Sequence, residues 1–90
     1  MNKSDFIYAM KQAIHHEMPY VAVVVSVPNC TSPEIIVNPL ENVPDKTIYY
    51  ANAYDENMRL KANPSIRITS VYTGASLDEF IAGTYKEVSK

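Results

Sequence analysis

The run Tyr20-Val21-Ala22-Val23-Val24-Val25-Ser26-Val27 constrains the chain more than any other segment, because five of its eight residues are valine. β-Branched side chains are stiff at χ1 and pack well on a pleated surface, so residues 20–27 read as a strand. Successive strand residues point to opposite faces, which puts Val21, Val23, Val25 and Val27 on one side and Tyr20, Ala22, Val24 and Ser26 on the other. Both faces are largely apolar. The strand is therefore expected at the centre of a sheet, with its second face covered by a helix of the same chain or by a second subunit.

The segments on either side supply material for that cover. Phe6, Ile7, Met10, Ala13 and Ile14 fall on one helical face, with Asp5, Tyr8, Lys11, Gln12 and His15 opposite, so an amphipathic helix is expected over 4–17. Ser4 is placed to cap it, and Pro19 biases Met18 away from helical angles. Residues 28–33 are turn formers throughout, and 34–38 read as a short strand antiparallel to the first. Beyond Pro39, the residues Val43, Tyr50, Ala51, Tyr54 and Met58 share a helical stripe, with Asn42 as a cap and Pro44 in the first turn. Residues 47–50 also suit a strand, since Ile48, Tyr49 and Tyr50 favour sheets; the stripe favours the helix. A third strand is expected over 65–73, where Ile66, Ile68 and Tyr72 alternate with polar residues, and 60–62 can extend it, Pro64 being tolerable at an edge or a bulge. After Gly74, Ser76 and Glu79 have capping-box spacing, and Leu77, Phe80, Ile81, Thr84 and Val88 have helical spacing. The expected fold is a single α+β domain over 1–90, a small antiparallel three-stranded sheet packed with helices in the order α-β-β-α-β-α.

One stretch carries a resemblance. Glu34-Ile-Ile-Val-Asn-Pro-Leu-Glu-Asn42, Lys46, Tyr49-Tyr50, Ala53-Tyr54-Asp55, Leu60-Lys61, Asn63-Pro64 and Ile66-Arg-Ile68 together resemble small uncharacterised phage and prophage proteins of Gram-positive bacteria. Arg67 stands where those proteins usually carry lysine, and Ile48 where they often carry leucine. The resemblance covers 34–68, implies a phage setting and supports a helix over 43–57. It brings no biochemical activity with it.

The composition removes several classes of function. With two glycines in the chain, a phosphate-cradling loop or a dinucleotide fingerprint can hardly be built. Cys30 is the sole cysteine, which rules out an internal disulfide and a cysteine-cluster zinc site and suits a reducing cytoplasm. A net charge of −2 gives no general attraction to nucleic-acid backbones, so DNA binding is not expected. The run 20–27 is far shorter than the roughly 20 residues needed to cross a bilayer, and the N-terminal segment lacks the apolar core of a secretory signal, so a cytoplasmic protein without membrane contact is expected.

No catalytic constellation emerges. Cys30 sits in a loop with no base placed beside it, and His15 and His16 are neighbours whose side chains diverge by about 100°, wrong for joint metal ligation. Asp55-Glu56 and Asp78-Glu79 read as helix ends or solvated faces. No cofactor is expected, and the chain is not expected to be an enzyme. What stands out is local charge: between Asn57 and Leu77 there is no acid, while Arg59, Lys61 and Arg67 follow a segment bearing Tyr49, Tyr50 and Tyr54. These cations and the faces of Tyr49 and Tyr54 are the candidate ligand site, suited to a phosphorylated, base-bearing small ligand by ion pairing and stacking. The plainer reading makes the tyrosines core and the cations solvated. Seven tyrosines also suit a protein interface. The expected function is a non-enzymatic phage accessory protein that acts by binding, inhibiting host defence by blocking a host protein or sequestering a nucleotide signal. The alternative is a minor structural or assembly component of the particle. Self-association is expected, a dimer above all, to cover the second face of the central strand.

Overall fold

A computed structural model describes residues 1–83 and the backbone of Lys86 and Glu87. The chain runs α1 (Lys3–His15), β1 (Tyr20–Ser26), β2 (Glu34–Pro39), a 3₁₀ turn (Leu40–Asn42), α2 (Val43–Ala53), β3 (Arg59–Leu60), β4 (Asn63–Gly74), α3 (Leu77–Ala82) and β5 (Lys86–Glu87). The valine-rich strand β1 is central, flanked by β2 and β4, both antiparallel to it. Its five residues Val21 to Val25 are all buried.

The three-stranded expectation is corrected. Four strands lie in the order β2-β1-β4-β3, and the two-residue β5 also pairs with β4. The element order up to α3 is thus α-β-β-α-β-β-α. The missed elements are β3 and β5. Residues 60–62 do not extend the third strand; Leu60 pairs back onto Asn63, and Lys61-Ala62 forms the turn of a hairpin. Pro64 falls on the β4 segment that projects past β1, where no ladder bond requires its missing N–H.

On one face, Val21, Val23 and Val25 pack with Phe6, Met10, Ala13, Val43, Tyr50, Tyr54, Met58, Ile68 and Val71 in one core, and Ile14 packs against it. Phe6 meets Tyr50 edge to face, with centroids 5.6 Å apart. Asn38 and Thr73 are the buried polar residues among those described, paired with Val21 from either side, and the Asn38 side-chain amide donates to the carbonyls of Val21 and Ile36, at 3.5 and 3.4 Å. Phe80, on the last helix, is not part of this core. A Cβ on Gly74 would meet Phe80 Cε2 at 2.8 Å, and Gly74 faces the side of Tyr20 and Tyr72, so α3 packs on the opposite face.

The three capping expectations are corrected. Asn2, not Ser4, caps α1, its Oδ1 accepting the Asp5 N–H at 2.8 Å. Asn42 precedes α2 but its side chain caps nothing, because the 3₁₀ turn already holds it in helical conformation. The capping pair before α3 is displaced by one residue: Glu79 accepts the N–H of Ala75 rather than that of Ser76, at 2.8 Å. Thr84 and Val88, expected on the last helix, lie outside the described residues.

Val23 is fully buried between two paired strands. Val23→Asp is therefore expected to abolish the cooperative thermal melt followed by circular dichroism, since an unpaired carboxylate there costs several kcal/mol, about half the stability of a small domain.

Candidate functional site

The site is built by a reversal of the chain after α2. Tyr54 leaves the helix in extended conformation, and the Asp55 carboxylate then accepts the N–H groups of Asn57 and Arg59 through one oxygen, at 2.8 and 3.0 Å. The Asp55 backbone closes the same turn, donating to the Arg59 carbonyl and accepting from Met58. Met58 has φ of 56°, a left-handed conformation rare for a side chain of its size. It is held there by its fully buried side chain and by its carbonyl, which accepts the Ile68 N–H at 2.9 Å. The hydrogen bonds from Arg59 and Asn57, with the charges of Arg59 and Lys3, hold the Asp55 carboxyl below its ordinary value against a smaller opposing effect of desolvation.

This turn sets the register of β3 on β4, and the register puts Arg59 directly opposite Arg67. Like charges so placed repel, by a fraction of a kcal/mol in water and more where solvent is excluded. The two guanidinium-bearing residues border an open cleft of about 440 Å³ lined also by Met1, Asn57, Ile68 and Thr69, with no carboxylate among the lining residues. Met1 reaches the cleft because the Lys3 N–H donates to the Glu56 carbonyl at 2.9 Å and the Lys3 ammonium lies 3.7 Å from the Glu56 carboxylate. Among the described residues neither arginine has a carboxylate within ion-pair distance. Two guanidinium groups thus border one small space, and their fork geometry is suited to phosphate or carboxylate oxygens.

The other candidate residues go elsewhere. Lys61 is exposed in the hairpin turn, outside the cleft lining, its N–H donating to the Ala53 carbonyl. Tyr54 is buried in the core against Tyr50, with centroids 5.8 Å apart. Tyr49 is 54% exposed on the outer side of α2, with the Lys46 ammonium 5.7 Å from its ring centre. Burial raises the phenol pKa of Tyr50, with the neighbouring Tyr54 adding to it, and burial likewise raises that of Tyr54. Asn57, Thr69 and Met1 were not singled out in the sequence; only the turn and the β4 bulge bring them to the arginines.

Cys30 is exposed in the loop before β2, as its turn-forming neighbours imply. His15 ends α1 and His16 follows it, their rings edge to face. Among the described residues no three His, Cys, Asp or Glu side chains are grouped to hold a metal ion, and no helix is long and apolar enough to cross a membrane. No family model matches the chain, and no curated protein or solved structure matches it.

A lowered carboxyl pKa contributes stability that is complete above the ordinary carboxylate range and is lost as pH falls through the folded-state value. Asp55→Ala is therefore expected to lower the melting temperature at pH 7 and to do so by a smaller margin at pH 3, read from thermal melts of both proteins at both pH values.

Proposed function

We propose that the chain acts by binding, not by catalysis, as a small phage accessory protein in the host cytoplasm, and that its ligand is a phosphorylated small molecule. Sequestration of a nucleotide signal used in host defence is the role that best suits such a ligand. The observation that carries the reading is the cross-strand pair Arg59 and Arg67 at a cleft without carboxylates. A cation pair that costs stability when empty becomes favourable when an anion sits between the two side chains. Stacking of a base on Tyr49 or Tyr54 has no support at this cleft, because Tyr54 is core and Tyr49 does not line it. Recognition is assigned to the phosphate, with Asn57 and Thr69 as polar neighbours.

A second reading, blocking of a host protein, has its own observation. Ile48 is 63% exposed beside Tyr49 on the outer surface of α2, and an exposed aliphatic side chain next to an exposed tyrosine is the composition of a contact patch.

Calorimetric titration with inorganic pyrophosphate and a panel of mono-, di- and cyclic nucleotides tests the first reading. Binding that weakens about tenfold or more in each of Arg59→Ala and Arg67→Ala, and that falls as salt is raised, is the expected result. If no phosphorylated compound binds, or if both variants bind as the wild type does, the cleft reading fails. Retention of a host protein that Ile48→Asp releases would then favour the second reading, and neither activity would favour a minor structural component.

A further inference from the structure

Among the described residues the sheet ends at β2, which pairs with β1 on one side and has no strand on the other. The direction of its free backbone groups follows from the register. The Leu40 N–H donates to the Pro19 carbonyl at 2.9 Å, and the Val21 carbonyl faces β2, where it accepts the Asn38 amide. Hydrogen-bonded pairs alternate along an antiparallel ladder, so Glu34, Ile36 and Asn38 direct their N–H and C=O groups at β1. Ile35 and Val37 direct theirs outward. Pro33 and Pro39 occupy the next outward positions on either side and have no N–H to offer. The free edge is thus two donors and their carbonyls, bracketed by prolines, with Ile35 43% exposed upon it.

We infer that this edge is a self-pairing surface whose occupant is β2 of a second copy of the chain, antiparallel and two-fold, with Ile36 on the axis. In that register Ile35 of each copy forms a hydrogen-bonded pair with Val37 of the other. Four backbone hydrogen bonds result, and all outward N–H groups between the prolines are used. The strand is self-complementary in charge as well: Glu34 falls opposite Asn38 of the second copy, so its one carboxylate meets a neutral residue and no like charge. Ile35 and Val37 become cross-strand neighbours on the face shared with Ala22 and Val24. The prolines that would spoil a longer pairing limit this one to a single short seam, which closes as a dimer and leaves no further β2 edge. The earlier reason for expecting a dimer, an uncovered second face on β1, does not apply, because Ala22 and Val24 are buried within the single chain.

A seam of four hydrogen bonds makes a small interface, so the dimer is concentration-dependent. Light scattering from about 10 µM to about 1 mM is expected to show a mass rising from 10.1 kDa toward twice that value. Ile35→Lys, at a position already exposed in the single chain, is expected to hold the mass at the lower value. Register is read by cross-linking in a Cys30→Ser background. Ile36→Cys places two thiols at a non-hydrogen-bonded pair, where the Cα atoms lie about 4.5 Å apart, and is expected to oxidise to a covalent dimer. Ile35→Cys, whose own copy is not opposite, is expected to form it at least about tenfold more slowly. A mass constant at 10.1 kDa, growth beyond a dimer, or equal cross-linking at positions 35 and 36 would overturn the inference.

Discussion

The antiparallel pairing of Tyr20–Ser26 on both of its edges is the constraint on which everything else in this structure depends. A strand with five consecutive buried residues cannot sit at an edge, because its backbone groups need partners on both sides and its side chains need cover on both faces. Satisfying the backbone recruits β2 and β4. Covering Val21, Val23 and Val25 recruits α1 and α2, whose apolar faces meet through Phe6 and Tyr50. Asn38 then sits buried among apolar neighbours, tolerable because its amide donates to two carbonyls of the sheet and lies against the Tyr50 hydroxyl. On the opposite face α3 packs against β4, with Phe80 at Gly74.

What was legible in the sequence followed from periodicity, and what was not followed from register. The helices at α1 and α2 and the strands β1, β2 and β4 each carry an apolar repeat long enough to identify them. β3 has two residues and no period at all; its existence depends on the Asp55 turn and on Met58 adopting a left-handed conformation that nothing in its side chain favours. Met58 illustrates the difficulty. It fits the helical stripe of Val43, Tyr50 and Tyr54 and does end in the same core, but it arrives there after the helix has stopped and the chain has turned. The hairpin turn Lys61-Ala62 lacks glycine, proline or asparagine at its centre, so composition could not separate a continued strand from a reversal.

The candidate site divides along the same line. A count of charges isolates Arg59, Lys61 and Arg67, and two of the three prove to be cross-strand partners. Lys61 is separated from them by the hairpin turn, one position beyond the last paired residue of β3, although it is closer to Arg59 in sequence than Arg67 is. Tyr49 and Tyr54 also separate. Tyr49 stands on the solvent side of α2, while Tyr54, one residue past its end, is extended and buried in the core. No reading of composition places Thr69, because a register shift between Val24 and Val25 inserts an extra residue into β4 at that point and brings it to the arginines.

The strand order also separates the two surfaces that carry functional readings. Arg59 is on β3 at one margin of the sheet, and Ile35 and Val37 are on β2 at the other, with β1 and β4 between them. Three strand spacings of about 4.8 Å put the two margins roughly 14 Å apart. Arg67 pairs with Ser26 at the end of β1, and its cleft is lined by Met1, by β3 and β4 and by the turn between α2 and β3, with no residue of β2. Self-pairing through β2 would therefore extend the sheet to eight strands on the four-strand path, with one arginine cleft at each outer margin and none buried in the seam. The two clefts would be independent and equivalent, because nothing in a two-fold seam at Ile36 touches β3 or the Asp55 turn. Ligand binding at the proposed cleft would thus require no second copy, and a second copy would add a second cleft without altering the first.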